Sequence, residues 1–471
     1  MDCLLGFDDT DSSSGLCTTY LGYRIATDLR RVLRVRAYPR LVRLNPNVPF
    51  KTRGNAAVCM PISTEDPDAA FDKVCELVSL LSDVKNGANP GVVFWRGDTG
   101  AYFRGLYDRA VRGMVNRHSV EKALRELRAE TFTLGNGMGL VGASASLGFD
   151  EASDHTYELI AYRRPSRRGT RRMVDGPSVE EMDVKTFPET FNNYDYQKRK
   201  VLVAPSGPDP VFFGVRGSSP DVVISASRML RHSEELEGWI TYVSNQYTDA
   251  HLVRETDLRV YSSGWTEGRV SSLRIGRGGH VYFNVGRVEC AVYRPTGELQ
   301  RTAKLLSEGD QVRAYGGVRR PSSKHASLLN VEKIEVISVT ALLEESNPEC
   351  PHCHHAAKSE GFRKGFQCRG CGMKFPVESV RSKPLSRLLV PGVYAVSPRS
   401  NRHLAKPLVR YGREVPGLVA PEVEAWVGRF TYVEERARPK SWMRSSASST
   451  PTATLISDSG IPDLLFSSSE T

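Results

Sequence analysis

The spacing of apolar and polar positions predicts a strand, a loop and a helix at the start of the chain. Residues 3–7 are an apolar run, which indicates a buried strand, and the run stops at Asp8. From Thr18 onward apolar residues recur at helical spacing, so we expect a helix to begin there. A further amphipathic helix is predicted over residues 66–83.

Between Gly264 and Val339 the pattern changes to short apolar segments separated by turns. Such a pattern is typical of a small OB-type β-barrel, whose strand face binds single-stranded nucleic acid. A barrel that serves only as a spacer is the alternative. The five predicted strands span residues 265–275, 280–285, 289–293, 311–318 and 328–339.

Three carboxylates, those of Asp8, Asp9 and Asp11, lie where the first predicted strand ends, just ahead of the helix at Thr18. Carboxylates together with substrate phosphates are the usual ligands of Mg²⁺, and the free N–H groups of a helix start suit an anion. A polar turn in which one aspartate caps the helix is the simpler interpretation. Three neighbouring carboxylates repel one another unless a cation is present, so we favour a metal and phosphate site.

The loop between Pro46 and Ala56 offers Lys51, Arg53 and the amide of Asn55. A point charge, a planar guanidinium and an amide together can hold a triphosphate. A solvated basic loop is the alternative.

A glycine-rich segment contains the pattern G-x-G-x-x-G at Gly137, Gly139 and Gly142. The pattern alone is weak, because the βαβ context of a dinucleotide site is missing. Glycines allow close approach of the backbone to a phosphate or base. We therefore expect a nucleotide-contacting loop, with a role in packing alone as the alternative.

An apolar strand predicted over residues 211–213 ends in a second glycine turn, at Gly214 and Gly217, with Arg216 between them. This segment has the form of the first one: an apolar strand, a glycine turn and a functional side chain. A helix is predicted to follow over residues 222–237.

Six arginines lie within ten residues, from Arg163 to Arg172. Pro165 and Gly169 exclude a regular helix, so the pattern predicts an exposed loop. Six uncompensated arginines are costly to leave together without an anion, which makes a nucleic-acid backbone the expected partner. A solvated surface is the alternative.

Two C-x₂-C pairs, Cys350/Cys353 and Cys368/Cys371, have the spacing of a structural four-thiolate zinc site. A ligand set that includes a nearby histidine is a minor alternative, and a disulfide pair fits less well. Thiols in metal-type spacing also suit a reducing compartment, so we expect a cytoplasmic protein.

Composition adds little to this interpretation. The chain has 471 residues and a formal net charge of +10, which points mildly to a polyanionic partner. Its first residues have no basic segment typical of a signal peptide, and no apolar stretch reaches about 18 residues, so no membrane span is predicted.

The motifs quoted above resemble those of the archaeal tRNA-Ile 2-agmatinylcytidine synthetases. The resemblance is collinear over about residues 1–440. It leaves out the Ser-rich tail, residues 441–471, which we expect to be disordered. The matching segments are residues 6–20, 40–46, 49–58, 135–142 and 209–217, the barrel and the double C-x₂-C.

The resemblance implies a multidomain α+β fold. It assigns an N-terminal α/β kinase-like domain to residues 1–200 and a ferredoxin-like α+β region to residues 201–255, with part of 62–130 assignable to the ferredoxin-like domain instead. An OB-fold domain follows over 256–340, and a zinc ribbon with a basic segment over 341–440.

The resemblance also implies an enzyme. It would join agmatine to C2 of the wobble cytidine of the isoleucine tRNA with a CAU anticodon, using ATP through a phosphorylated cytidine and releasing AMP. Its expected ligands are ATP, Mg²⁺ and a structural Zn²⁺, and the sequence makes no prediction of the oligomeric state.

Residue roles follow from the matched motifs. Asp8, Asp9 and Asp11 would bind Mg²⁺, and Lys51 and Arg53 would neutralise developing phosphate charge. Thr18 matches the family's phosphorylated threonine. The expected ATP contacts are Asn55, Gly137, Gly139 and Gly142, and the expected agmatine and base contacts are Asp209, Gly214, Arg216 and Gly217.

Two rival functions remain at this point. A non-catalytic nucleic-acid-binding protein would explain the barrel and the ribbon, but it leaves the carboxylates and the basic loop unexplained. An ATP-dependent small-molecule kinase would explain those residues, but it leaves the barrel and the ribbon unexplained.

Overall fold

The computed structural model describes residues 1–51, 54–252, 258–321, 327–379, 381–417 and 426–429. It is a mixed α+β multidomain fold with a large sheet, a closed barrel and a small cysteine-bearing ribbon. None of the helices in these ranges is long and apolar enough to cross a membrane.

Most of the first 244 residues build one ten-stranded sheet with helices packed on it. Its strands are β1 (Asp2–Asp8), β2 (Arg34–Val35), β3 (Arg40–Arg43), β4 (Ala56–Ser63), β5 (Gly91–Trp95), β6 (Glu130–Thr133), β7 (Thr156–Arg163), β10 (Val211–Gly217), β11 (Leu236–Ser244) and the distant β23 (Val427–Arg429). The strands β8 (Tyr194–Asp195) and β9 (Lys200–Val201) form a separate pair.

The strand order in the sheet is β10-β7-β11-β3-β4-β1-β5-β6, with β2 on β4 and β23 on β11. The pairing of β3 with β11 is parallel, and the others are antiparallel. The helices are α1 (Thr18–Asp28), α2 (Pro67–Leu80), α3 (Ala101–Arg112), α4 (Arg117–Glu126), α5 (Gly139–Ser146), α6 (Gly176–Thr186) and α7 (Pro220–Arg228).

The predicted first strand and first helix are confirmed. Strand β1 lies inside the sheet, where Leu5 and Phe7 are fully buried. Helix α5 packs directly on it: a Cβ at Gly6 would overlap the carbonyl oxygen of Ala143. The small residues of α5 therefore bring its backbone against the end of β1, where the carboxylates lie.

The predicted five-stranded barrel is also confirmed. The strands are β12 (Ser263–Ile275), β13 (Val281–Val285), β14 (Val288–Val292), β15 (Gln311–Arg319) and β16 (Leu328–Ser338), and helix α8 (Glu298–Ala303) lies between β14 and β15. The sheet order β14-β13-β12-β15-β16 closes through a pairing of β14 with β16. Closure removes the open sheet edges.

The region after the barrel contains short strands. Strand β17 (Leu342–Ser346) pairs with β21 (Arg381–Leu385), and β22 (Gly392–Ala395) extends the barrel beside β16. Between them, β18 (Ala357–Ser359), β19 (Phe366–Cys368) and β20 (Lys374–Phe375) form the three-stranded ribbon that carries the four cysteines.

The helix predicted over residues 222–237 is shorter than the sequence indicated. Helix α7 ends at Arg228, and the chain pairs again from Leu236 onward in β11. The connection is fixed by tertiary contacts, because Glu234 is buried against Arg163. Local apolar spacing could not show that pairing.

The interpretation of residues 163–172 as an exposed loop of uncompensated arginines holds only in part: residues 164–171 are mostly exposed and contain only a 3₁₀ turn at Pro165–Arg167, but the arginines are not uncompensated. The side chain of Arg163 is fully buried and donates to both carboxylate oxygens of Glu234, at 2.6 and 2.7 Å. Arg172 is nearly as buried and donates to the carbonyl oxygens of Gly207, Asp209 and Val211. Both arginines therefore make buried structural contacts with segments that are distant in sequence.

Two more arginines of the run are compensated at the surface. Arg164 lies 3.0 Å from Glu235, and Arg168 lies 4.0 Å from Glu237 and stacks 4.5 Å from the ring centroid of Tyr20. The acidic partners come from β11 and the connection before it, which are distant in sequence. The sequence pattern of the run therefore overstated its exposed charge.

We predict that Arg163→Ala lowers the free energy of unfolding by about 3–5 kcal/mol, because it leaves the Glu234 carboxylate buried and unpaired. Urea unfolding followed by circular dichroism measures this. The control Arg167→Ala removes an exposed arginine and should change stability by less than about 0.5 kcal/mol. Equal effects of the two variants would refute a structural role for Arg163.

Candidate active site

The carboxylate cluster lies in the turn between β1 and α1. Asp8 ends the strand, and Asp9 follows with a φ of +57°, a backbone conformation that turns the chain sharply. The N–H of Asp9 donates to Asp8 Oδ1 at 2.7 Å, and the N–H of Asn89 donates to the Asp9 carbonyl oxygen at 3.1 Å. The loop is thereby fixed against the neighbouring strand β5.

The carboxylates of this cluster are unfavourable in their ionised form. Burial, followed by the charge of Asp9, raises the pKa of Asp8 well above its ordinary value. Burial, followed by the charge of Asp11, raises the pKa of Asp9 to about 6. A divalent cation would relieve both effects, so the donor set fits Mg²⁺.

The glycine motif lies directly against the cluster. A Cβ at Gly142 would overlap Asp8 Oδ2, and one at Gly139 would lie 2.6 Å from the Asp8 carbonyl oxygen. Helix α5 therefore reaches the carboxylates only because these positions have no side chain. Both of the roles considered from the sequence, packing and close approach to a ligand, are compatible with this position.

Thr18 opens helix α1 beside the same turn. Its side chain is buried, and its Oγ1 lies 3.3 Å from Thr10 Oγ1, which donates to it. The preceding residue, Cys17, makes no side-chain capping bond to the helix. The start of α1 can therefore present its first N–H groups to an anion at the cluster.

Another part of the cavity wall is basic. Arg43 ends β3, Arg216 lies on β10, and Glu158 on β7 stands between them, 3.5 Å from Arg43 and 2.8 Å from Arg216. Burial alone would raise the pKa of Glu158, but the charges of Arg216 and Arg43 and a hydrogen bond from Gln246 hold it below its ordinary value. The trio carries a net positive charge.

Residues of the basic loop also line the cavity. Lys51 is exposed and donates through Nζ to the Pro46 carbonyl oxygen. Asn55 donates through Nδ2 to the Asn45 carbonyl oxygen at 2.8 Å, which shapes the loop before β4. Arg53 lies outside the described residues.

One cavity of about 470 Å³ gathers these groups. Gly137 and Gly217 are absent from its wall: Gly137 turns the chain with a φ of +64°, and Gly217 packs against Glu189. Apolar side chains such as Phe50 and Met114 line another part of it. The predicted residues on its wall are Asp8, Asp9, Asp11, Thr18, Lys51, Asn55, Gly139, Gly142, Asp209, Gly214 and Arg216.

Protein partners fix the side chains of Asp209 and Arg216. The carboxylate oxygen Oδ1 of Asp209 lies 3.2 Å from Arg172 Nη2 and accepts from the N–H of Val211 at 3.1 Å. Arg216 is held by Glu158, as described above. Both side chains are therefore fixed in orientation at the cavity wall.

The wall also contains residues that the sequence analysis did not assign. Glu158 had a signal, since it is a charged residue inside a mostly apolar and aromatic strand. The segment from Pro398 to His403 had none, because it arrives from beyond the ribbon. The charge of Arg43, burial and the charge of Arg216 lower the pKa of His403 well below its ordinary value, so its imidazole is neutral.

The four ribbon cysteines form a separate cluster. Their Sγ atoms all lie within 4.8 Å of one another, with Cys350 to Cys371 at 3.5 Å and Cys353 to Cys368 at 3.3 Å. Four sulfurs about 2.3 Å from a shared centre give tetrahedral zinc coordination with no open position. The cluster therefore fits a structural zinc ion.

Comparison with known proteins gives matches along most of the chain. Family models match as the TiaS TCKD domain over residues 4–136, the TiaS FLD domain over 137–251 and the TiaS C-terminal zinc ribbon domain over 347–384. The chain is 42% identical to the isoleucine-tRNA 2-agmatinylcytidine synthetase TiaS of Cenarchaeum symbiosum (strain A) over 435 residues, 90% of this chain and 96% of that protein.

Solved structures agree with these matches. The structure of a complex of TiaS with its isoleucine tRNA and ATP is similar with a TM-score of 0.80 and 34% identity, covering 87% of this chain and 97% of that one. The structure of a complex of TiaS with the same tRNA, AMPCPP and agmatine is similar with a TM-score of 0.77 and 32% identity, covering 87% and 97%.

We predict that Asp9→Asn stabilises the protein in magnesium-free buffer. The pKa of Asp9 is higher in the fold than in the unfolded chain, so ionisation costs the wild type stability as the pH rises through about 6. The amide cannot ionise, and its advantage should grow from near zero below about pH 4 to about 1–2 kcal/mol above about pH 7. Thermal unfolding between these two pH values measures this, and a pH-independent difference would contradict it.

We predict that removing zinc unfolds the ribbon and leaves the large sheet folded. The ribbon strands are two or three residues long, so metal binding supplies much of its folding free energy. Cys368→Ser should lose the bound zinc and become sensitive to trypsin near Lys358 and Arg363, whereas the control Cys75→Ser should do neither. Full zinc content in Cys368→Ser would exclude the four-thiolate site.

Proposed function

This chain belongs to the isoleucine-tRNA 2-agmatinylcytidine synthetase family, and from that membership we propose that it joins agmatine to C2 of the wobble cytidine of the isoleucine tRNA with a CAU anticodon, using ATP. One observation carries the proposal for this chain. The carboxylate cluster, Thr18, Lys51, Asp209 and Arg216 all line a single cavity. A phosphoryl donor, a base and an amine can therefore meet in one place.

The chemistry explains why these groups are needed together. The oxygen on C2 of cytosine is a poor leaving group, so the amine cannot displace it directly. Transfer of a phosphoryl group from ATP to that oxygen makes it a good one. The agmatine nitrogen then bonds to C2, the C2–O bond breaks, phosphate leaves with the oxygen, and the amine loses its protons. The phosphoryl transfer leaves ADP, and one water hydrolyses its remaining anhydride bond, so ATP is converted overall into AMP and two phosphates.

We propose that Asp8, Asp9 and Asp11 hold Mg²⁺, which when bound would neutralise phosphate charge and orient the triphosphate. Their raised pKa values and the bare backbone at Gly142 support this assignment. The side chains of Lys51 and Arg53 are assigned to stabilise charge that develops on the transferred phosphoryl group. Asn55, Gly139 and Gly142 are assigned to the ATP contact.

Thr18 is proposed to be the residue that becomes phosphorylated. It is buried at the first turn of α1, beside the carboxylate cluster. A phosphate on its Oγ1 would lie near the N–H groups of the helix start, which favour an anion. The adjacent Thr19 also lines the cavity, and its carbonyl oxygen accepts from the Tyr242 hydroxyl.

Agmatine is a dication at neutral pH, with an ammonium at one end and a guanidinium at the other. Asp209 is buried at the cavity wall, where Arg172 and the N–H of Val211 fix the direction of its carboxylate. We assign this carboxylate to one cationic end of agmatine, with Gly214 and Gly217 shaping the strand beneath it. Arg216, oriented by Glu158, is assigned to a phosphate or to the base.

The rest of the chain is proposed to hold the tRNA. Arginines stack on aromatic rings of the barrel, with Arg274 4.7 Å from the Tyr282 centroid and Arg319 5.0 Å from that of Tyr293. Such pairs suit single-stranded RNA. We keep the kinase-like assignment for residues 1–200, the ferredoxin-like assignment for 201–255 and the cytoplasmic location as parts of this proposal.

The test uses purified protein, Mg²⁺-ATP, labelled agmatine and the CAU-anticodon isoleucine transcript, with label in tRNA and AMP release followed together. We predict that Asp9→Asn lowers incorporation by about 100-fold or more, because it removes a metal ligand, while tRNA affinity stays unchanged. The control Asp72→Asn changes an exposed aspartate on α2 and should retain full activity.

The other outcomes identify the rival functions. AMP or ADP release without transfer of label would support a kinase with a different acceptor. Transcript binding without ATP cleavage or transfer would support a nucleic-acid-binding protein and refute the proposal.

A further inference from the structure

The loop that carries Lys51 is attached to the barrel. Asn47, in the β3–β4 loop (residues 44–55), donates through Nδ2 to Ser263 Oγ at 2.7 Å and to the Ser262 carbonyl oxygen at 3.3 Å. Two residues earlier, Asn45 Nδ2 donates to the Tyr261 carbonyl oxygen at 2.7 Å. These bonds fix one side of the loop to the start of β12.

The barrel has a place shaped for this contact. Gly317 on β15 pairs with Ser263 on β12, and Asn47 lies over the pair. A Cβ at Gly317 would overlap both terminal atoms of the Asn47 amide. The glycine therefore leaves the space that Asn47 fills.

A third segment holds the same asparagine. Arg402 Nη1 donates to Asn47 Oδ1 at 2.9 Å, and Arg402 Nε lies 3.7 Å from Glu332 Oε2 on the barrel strand β16. The next residue, His403, lies on the cavity wall and accepts through its carbonyl oxygen from the N–H of Tyr247 at 2.8 Å. Asn47 thus joins the barrel, the C-terminal segment and the edge of the cavity.

We propose that the barrel positions the catalytic loop, with Asn47 and Arg402 as positioning residues, and that it therefore contributes to turnover as well as to tRNA binding. This inference rests on the proposed function, because it takes Lys51 as part of the catalytic machinery. The described residues of the β3–β4 loop form no helix or strand, so without an anchor their conformational entropy would oppose ordering during the reaction. Attachment to a rigid barrel orders the loop beforehand.

The experiment changes the barrel side and the loop side separately. Gly317→Ala, which touches no cavity residue, and Asn47→Ala should each lower kcat at saturating tRNA by about 10- to 100-fold, with tRNA affinity changed by less than about 3-fold. The matched control Gly268→Ala lies on β12, where a new Cβ would meet its nearest neighbour at an ordinary 3.4 Å, and it should retain kcat. The melting temperature of each variant separates misfolding from misplacement.

A double-mutant cycle tests the shared contact. Arg402→Ala should lower kcat, and its combination with Asn47→Ala should be no worse than the more severe single variant, because both changes break the same contact. The control Arg413→Ala removes an exposed arginine of the same segment, paired with Glu189, and should leave kcat unchanged. Additive losses, or an unchanged kcat in Gly317→Ala, would overturn the inference.

A readout without turnover separates this inference from the proposed function. Trypsin should cleave after Lys51 several-fold faster in Gly317→Ala than in wild type or Gly268→Ala, because the loop is released. If Gly317→Ala is cleaved faster but the wild type does not transfer agmatine, the positioning contact is supported and the proposed function is rejected. Equal cleavage rates, with wild-type transfer intact, would reject the positioning contact.

Discussion

The carboxylate of Asp8, held at the end of β1, is the constraint on which the rest of the site depends. Burial and two neighbouring carboxylates make its charge unfavourable, so the fold stores repulsion at this point. Three neighbouring residues shape its surroundings. Asp9 turns the chain, the N–H of Asn89 fixes the turn, and Gly142 lets a helix backbone lie against the carboxylate. An uncharged side chain at Asp8 would relieve the repulsion and remove the attraction for a cation. Under the proposed role in Mg²⁺ binding, function and local stability are therefore opposed at this turn.

The cavity wall carries groups of both charges. Carboxylates lie at the end of β1, and an Arg43–Glu158–Arg216 trio with a net positive charge lines the same cavity. The fixed acid in the trio orients both guanidinium groups, and their charges together with burial keep His403 neutral. A site of this kind suits reactants of both signs, such as a nucleoside triphosphate and a diamine-like cation. Its parts come from β1, β3, β7, β10 and the segment beyond the ribbon, so the site exists only in the folded chain.

The arginine run shows where a local pattern misleads. Its density suggested an uncompensated surface, yet Arg163 and Arg172 are buried and paired with groups far away in sequence. The same limit applies to helix α7, which ends at Arg228, before the segment in which Glu234 pairs with Arg163. Apolar spacing reports which face of an element is buried. It does not report which charged groups from elsewhere in the chain will meet there.

The sequence by itself determined the elements and the chemical types: the strand before Asp8, the helix at Thr18, the five barrel strands, the zinc spacing and the motifs that resemble the family. These are local properties, set by periodicity, turn residues and ligand spacing within a few residues. Only the tertiary structure decided which of these elements line one cavity. It also decided that the missing side chain at Gly142 lets helix α5 lie against the Asp8 carboxylate, and that Asn47 packs on the barrel. Those relations depend on strand order and on contacts between segments hundreds of residues apart, such as Asn47 and Arg402, and no local pattern encodes them.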